Sequence, residues 1–453
     1  MRKTMAVCLL AGVLSAGQGI QIDIPYTQFK LPNGLNVILH EDHSIPLVSV
    51  NVWYHVGSGR EMPGRTGFAH LFEHLMFEGS AHVPEGMFDV WLEGAGGYNN
   101  GSTMEDRTNY WENIPSNALS LALFLESDRM GHFLDVVSPD LVDGQRDVVK
   151  NERRQSYENQ PYGMAWLTIP ELVYEPAHPY SWPVIGSQAD LSAASLEDVK
   201  SFFTRYYGPG NASLAVAGDI DPATARAQIE HWFSDVPAGA PVQRLEAPQA
   251  VLNVVKHKVL EDDVQLPRLL MLWITPGFYQ PGDAEMDIIA DILTSGKNSR
   301  LYRRMVYELE IAQEVFAFQE SLQLSSLLYV VATARSGHTL AELESVILEE
   351  IALLKTEAPT ERELDRAVNQ HEAGMLRSLE RVGGFGGKGD RLNRYYFYTG
   401  TPGYINNDLA RYKALTTAQV SAAAGTYLKD DGRVVLSVVP KGRTDLAAVP
   451  EEN

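Results

Sequence analysis

The run Gly67-Phe68-Ala69-His70-Leu71-Phe72-Glu73-His74-Leu75-Met76-Phe77 decides how the rest of the chain is read. On a helix, residues at i, i+3 and i+4 share one face, so His70, Glu73 and His74 project together. Two neutral imidazoles can grip one ion, and a carboxylate beside them can take the proton from a water whose pKa that ion has lowered. The order H-x-x-E-H therefore makes the chain a candidate metallopeptidase. The plainer reading is a helix with two core histidines, each satisfied by a hydrogen bond. It leaves Glu73 as a costly buried charge.

A catalytic zinc site takes three protein ligands and keeps a fourth position open. Glu152 is the expected third ligand. The stretch from Gln145 to Arg154 reads as a helix, with Val148, Val149 and Glu152 on its apolar side. A carboxylate on that side wants a cation. A salt bridge to Arg153 or Arg154 is the competing reading, but those residues are adjacent in sequence and point elsewhere on the helix.

Working outward, 453 residues suffice for two or more cores. A net charge of −21 speaks against a nucleic-acid partner, since nothing balances a phosphate backbone. Arg2-Lys3, an apolar stretch from Met5 to about Ala16 and small residues up to Gly19 have the layout of a secretory signal peptide, taken as residues 1–20. Cys8, the one cysteine, falls inside it, so the mature protein is expected to hold no disulfide and no thiolate metal ligand. No later segment approaches about 18 uninterrupted apolar residues, so no transmembrane anchor is expected. A periplasmic or secreted bacterial protein is the expectation.

The chain also repeats itself at an offset of 221 residues. Ser195-Leu196-Glu197-Asp198-Val199 aligns with Thr416-Thr417-Ala418-Gln419-Val420, Tyr206 with Tyr427, and Leu214-Ala215-Val216 with Val435-Leu436-Ser437. Each copy opens with a hydroxyl N-cap and a polar residue three later, runs as a helix to the tyrosine, turns and enters a strand. Shifting the triad by the same offset gives Asp291, Thr294 and Ser295. The second copy is expected to keep the helix and lack the ligands, hence one metal per chain. Pro237-Ala238-Gly239-Ala240-Pro241 and the residues up to Pro248 read as a linker. The expected domains are therefore residues 21–237, metal-binding, and 249–453, a homologous copy without ligands. Strand-like runs such as Leu47 to Tyr54 alternate with long amphipathic helices in both, which points to α+β, each domain an antiparallel sheet backed by helices.

Two further stretches invite a site. Gly383 to Gly389 fails as a phosphate loop, because Gly389 stands where Ser or Thr is required and Val382 where the first glycine belongs; a flexible loop near the cleft is expected instead. His40-Glu41-Asp42-His43 reads as a polar turn after a strand rather than as a surface metal site.

Beyond the H-x-x-E-H helix, the chain carries Leu31-Pro32-Asn33-Gly34-Leu35, Val56-Gly57-Ser58-Gly59-Arg60-Glu61, Gly96 to Thr103, Asp106-Arg107-Thr108-Asn109-Tyr110, Val149-Lys150-Asn151-Glu152, His178-Pro179-Tyr180 and Ser299-Arg300-Leu301-Tyr302. With these pieces it resembles the pitrilysin (inverzincin) family of zinc metallopeptidases over nearly the whole mature chain, and is most similar to the short bacterial members related to mitochondrial processing peptidase. The resemblance implies zinc on His70, His74 and Glu152, with Glu73 as general base. It implies that Asn100, Gly101 and Thr103 receive a peptide substrate as an added strand, which suits an edge with free backbone groups. It also implies that two domains make half of an enclosed chamber, so that a dimer hydrolyses peptides or unfolded segments inside it. Catalytic members carry an Arg and a Tyr seven residues apart that orient the substrate. Aligned from the helix start at Thr416, those positions hold Tyr404 and Arg411, the wrong types, while Arg391 and Tyr398 have the right separation but lie earlier. A heterodimer whose other subunit supplies the pair is one expectation. A non-catalytic scaffold or assembly subunit of the same fold is the alternative.

Overall fold

A computed structural model of the protein describes residues 21–449, so the expected signal peptide lies outside the described residues. The first half builds a six-stranded sheet from β1 (Thr27–Lys30), β2 (Asn36–Glu41), β3 (Leu47–Tyr54), β4 (Tyr98–Thr103), β5 (Thr108–Pro115) and β6 (Ala212–Gly218), in the order β1-β2-β6-β3-β5-β4. The second builds a five-stranded sheet from β7 (Val255–Asp262), β8 (Arg268–Thr275), β9 (Ala312–Glu320), β10 (Ser326–Ala334) and β11 (Arg433–Pro440), in the order β7-β11-β8-β10-β9. Leaving out β1, the two orders are the same, and β6 and β11 begin 221 residues apart, as do β3 and β8. The architecture is α+β, two homologous domains with helices backing each sheet.

One detail refines the expected antiparallel sheets. In each, the last strand lies parallel to the first strand of the shared order, β6 beside β2 and β11 beside β7, while the other pairs are antiparallel. Each last strand returns after a long helical excursion and not through a hairpin, so it is free to enter the sheet in either direction.

Both sheets are covered on two faces, and period-two alternation sorts their side chains. In β3, Val48, Val50, Val52 and Tyr54 join the core beneath the His70–His74 helix. The alternate residues meet the second half: Trp53 Nε1 donates to Asp390 Oδ1 at 2.9 Å, and Asn393 Nδ2 donates to the Asn51 carbonyl at 2.8 Å. The cover on this side is the helix Lys388–Thr399, which comes from the far end of the chain. The second sheet is treated reciprocally. Val435 and Val439 of β11 pack among its own helices, while Val434, Leu436 and Val438 pack with Ala165, Ile169 and Val173 of the helix Gly163–Val173 from the first half. The segment 237–254 carries no regular secondary structure, so the halves are joined there by coil and held together by this exchanged pair of helices.

The glycine-rich run lies on this seam. A Cβ on Gly383 would sit 1.9 Å from Asn113 Oδ1 and 2.3 Å from Ser49 Oγ, so only glycine permits the contact. The expected flexible loop near the cleft is thus a packed turn on the sheet face opposite the His70–His74 helix. Gly386 N donates to Asp390 Oδ2 at 2.8 Å as the next helix begins.

Candidate metal centre

The helix carrying the motif runs Phe68–Leu75, with Leu71, Phe72 and Leu75 fully buried and His70, Glu73 and His74 half-buried on the opposite side. Its first backbone N–H groups lack intrahelical partners. Glu61 takes two of the donors at this end, accepting from Gly67 N at 2.9 Å and Ala69 N at 2.8 Å. Burial pushes the Glu61 carboxyl up to about 8, against the pull of those donors. The second contributing helix, Pro139–Arg153, is capped by Ser138, whose side chain accepts from Leu141 N at 3.2 Å. Gln145 Nε2 donates to Glu78 Oε1 at 2.6 Å and ties this helix to the end of the first. Past Arg153 the helix widens into a π-helical turn, Arg154–Glu158.

These two helices bring Glu152 to the imidazoles. Its Oε2 lies 3.1 Å from His74 Nε2 and 3.6 Å from His70 Nε2. Donor atoms on a tetrahedral ion with bonds of about 2.0–2.2 Å stand roughly 3.3–3.6 Å apart, so this spacing and donor set fit zinc. Among the described residues no other group of three or more His, Cys, Asp or Glu has its ligand atoms within 4.8 Å of one another. The competing salt bridges are absent: Arg153 bonds Glu158 and the Gly186 carbonyl, and Arg154 bonds Asn151. Val148, expected on the apolar side with Glu152, is 44% exposed, whereas Val149 is fully buried. Adjacent helix positions lie about 100° apart, and only the second of them reaches the core.

The charge states suit ligation. Burial lowers His70 to about 4, against the opposing pull of Glu152, which keeps the imidazole neutral. The hydrogen bond from His74 holds Glu152 below the usual carboxylate range, despite partial burial. A neutral imidazole and an ionised carboxylate are the forms that bind a metal. Burial raises Glu73, and the Thr103 hydroxyl opposes it by donating to Oε2 at 2.6 Å.

Asn100, Gly101 and Thr103 all fall on β4, the outer strand of the first sheet. Gly101 and Thr103 face the motif helix. A Cβ on Gly101 would stand 3.1 Å from Glu73 Cγ and 3.2 Å from the Phe77 ring. Asn100 is exposed and its Oδ1 accepts from Gly101 N at 2.7 Å. Sequence reasoning treated Thr103 as a substrate contact and missed its bond to Glu73, and it gave no role to Glu61; neither partnership leaves a periodic signal, since the residues lie 30 and 8 positions apart.

The Arg and Tyr candidates lie elsewhere. Tyr398 donates to Asp106 Oδ2 at 3.0 Å, and Arg391 bonds Ser378 and Tyr395. Arg411 pairs with Asp283 at 2.9 Å and with Asp408 at 2.8 Å, and Tyr404 packs against Tyr279. All four sit in or beside helices of the second half, and the helix of Arg391 and Tyr398 packs on the sheet face opposite the motif helix. In the second copy, Asp291 bonds Ser295, and Thr294 accepts from Ala317 N at 2.8 Å. In the His40 to His43 run, His40 and Glu41 end β2, and His43 is held by Glu41 and Asp219.

Comparison with known proteins matches two family models. The one described as Insulinase (Peptidase family M16) covers residues 36–168, and the one described as Peptidase M16 inactive domain covers residues 193–371. The zinc protease PqqE of Helicobacter pylori is 29% identical over 385 residues, covering 82% of this chain and 84% of its own length. A solved structure of a protease from Helicobacter pylori superposes with a TM-score of 0.84 at 26% identity, covering 92% of this chain and 100% of that one. The periplasmic protease PqqL of Escherichia coli superposes with a TM-score of 0.76 at 18% identity, over 93% of this chain and only 48% of that one.

Proposed function

The chain belongs to peptidase family M16, the pitrilysin family, and from that premise we propose that it is a zinc-dependent endopeptidase acting on peptides or unfolded segments within a chamber completed by a second subunit. One observation carries the reading: His70, His74 and Glu152 converge from two helices, while Glu73 stands on the same helical face with its carboxylate held by Thr103. Zinc bound by the three residues supplies Lewis acidity, lowering the pKa of a water and polarising a carbonyl. Glu73 accepts the proton of the attacking water and passes it to the leaving amine. Its half-buried setting raises its basicity toward the range in which one carboxylate can serve both steps. β4 has an unpaired edge beside Glu73, where an extended peptide can add as a further strand, with Asn100, Gly101 and Thr103 along its path.

The likeness to one half of PqqL supports assembly with a second unit, homologous or identical. Within one chain Arg391 and Tyr398 are engaged on the sheet face opposite the motif helix, which supports an Arg/Tyr pair supplied by a second subunit, a homologous chain or another copy of this one. A periplasmic location rests on the described character of PqqL and on the signal-like start; among the described residues no helix is long and apolar enough to cross a membrane.

The test is Glu73→Gln in the purified full chain, together with any subunit that copurifies with it. The variant should retain its zinc and lose roughly three orders of magnitude in kcat on a quenched peptide, within the range general-base catalysis contributes. Cleavage at the parental rate would refute the base. A zinc-loaded parent that cleaves nothing, alone or with its copurifying subunit, would favour the scaffold reading.

A further inference from the structure

A second pair of histidines stands in almost the same mutual arrangement as the first. The rings of His70 and His74 are 4.9 Å apart at 84°. Those of His82 and His132 are 5.3 Å apart at 83°. The second pair borders a separate surface cavity of about 340 Å³, which His231 and Asp235 also line.

Three features prepare this place for a cation. First, His82 Nδ1 lies 2.6 Å from Asp128 Oδ1. Asp128 is 4% exposed and also accepts from the Ser80 hydroxyl and the His82 backbone N–H. Burial alone would raise that carboxyl, but these hydrogen bonds more than reverse it, so it stays ionised and can only accept. The proton of His82 is thereby assigned to Nδ1, and Nε2 is left with its lone pair free, the carboxylate–imidazole arrangement that orients histidine ligands around metals. Second, His132 Nδ1 faces Asp135 Oδ2 at 3.3 Å, which biases its ring the same way. Third, His132 is the last residue of the helix Leu119–His132, and His231 is in the last turn of the helix Pro222–Phe233. Two helix C-termini, each carrying partial negative charge, therefore meet at one cavity lined by Asp128 and Asp235. Ala81 N donates to the His132 carbonyl at 3.2 Å, which fixes the His82 loop against the first of these helices.

We propose that His82 and His132 form the preset half of a second site for a divalent transition metal, completed by His231 or Asp235. The third donor does not yet converge, since only the His70 site has three ligand atoms within 4.8 Å of one another among the described residues. His231 and Asp235 are both exposed and line the same cavity, which leaves their side chains room to change rotamer. Imidazole-rich donors of this kind select zinc, copper or nickel over magnesium or calcium. The proposal does not depend on peptidase activity.

The test is zinc stoichiometry of the intact chain by equilibrium dialysis and calorimetry. The parent should take up two zinc ions, the second more weakly. The doubly substituted protein, His82→Ala with His132→Ala, should take up one and cleave peptide at the parental rate; both side chains are exposed, so the fold is not at stake. As a check on orientation, Asp128→Asn should weaken the second ion by roughly 10- to 100-fold. A parent that saturates at one zinc, or a double variant that still binds two, overturns the proposal.

Discussion

Thr103 donates its hydroxyl to Glu73 Oε2 at 2.6 Å, joining the edge strand of the first sheet to the acid of the His70–His74 helix. A hydrogen bond to a charged group contributes about 1.5–3 kcal/mol. Thr103→Val keeps the shape and removes the donor, so kcat should fall roughly 10- to 100-fold. KM and zinc content should hold. Steady-state kinetics with metal analysis checks this, and a loss confined to KM would return Thr103 to the substrate-contact role.

Gly101 lets β4 pass directly over Glu73. With a Cβ there, Glu73 Cγ, Phe77 and Tyr110 would all lie at 3.1–3.3 Å, closer than ordinary contact. Gly101→Ala should therefore displace either the strand or the base and lower kcat/KM about tenfold. Contacts this close require a shift of a few tenths of an ångström, and since a misplacement of about an ångström can cost roughly 100-fold, a loss of about tenfold is expected. Gly101→Val should lower it further, while the melting temperature changes little, because β4 is an outer strand.

Zinc bound to the folded chain alone stabilises it by mass action, about 2.7 kcal/mol when free metal is a hundred times Kd. Chelation should lower Tm by several degrees. Glu152→Gln should lose most of that response to chelator, and what remains should come from the weaker second site proposed at His82 and His132. Differential scanning calorimetry with and without chelator reads both effects.

Asp106 gathers three donors from separate segments: the Tyr180 hydroxyl, Gln323 N at 2.7 Å and the Tyr398 hydroxyl at 3.0 Å. An amide there turns one acceptor into a donor facing donors. Asp106→Asn should cost about 2–4 kcal/mol of stability, and Tyr398→Phe about 0.5–1.5 kcal/mol. Urea denaturation of the two variants should rank them in that order.

Glu105 supplies a pH dependence of the seam between the halves. Burial, then the neighbouring Glu320 carboxyl, pushes it from the usual 4.5 up to about 8. Folded protein thus holds a proton that unfolded chain releases above about 4.5, so this stabilising contribution is full below that pH and is lost as pH rises through 8. Denaturation midpoints measured from pH 5 to 8 should fall, and Glu105→Gln should make the slope shallower, with Glu61, also raised to about 8, supplying part of what remains. An unchanged slope would remove Glu105 from the account.

Much of this protein is written locally and could be read without coordinates. His70, Glu73 and His74 are one helical turn, and a turn carries its own geometry in residue spacing. The repeat at 221 residues, with its capping residues Ser195 and Thr416, likewise announces two copies of one design, and both boxes form as read. The Glu152 assignment drew on helical periodicity and on the need of a buried acid for a cation, although periodicity put Val148 on the wrong side.

What required the tertiary structure is everything set by contacts between segments distant in sequence. Period-two alternation says that a strand has two faces, but not whose helix covers each; only packing decided that Lys388–Thr399 crosses to the first sheet and Gly163–Val173 to the second. The same holds for Thr103 on Glu73, Asp106 under Tyr398 and His82 against His132. Covalent neighbours fix spacing within a turn or strand, whereas these partnerships depend on how whole faces bury their apolar area together, a sum over many side chains that no short stretch contains.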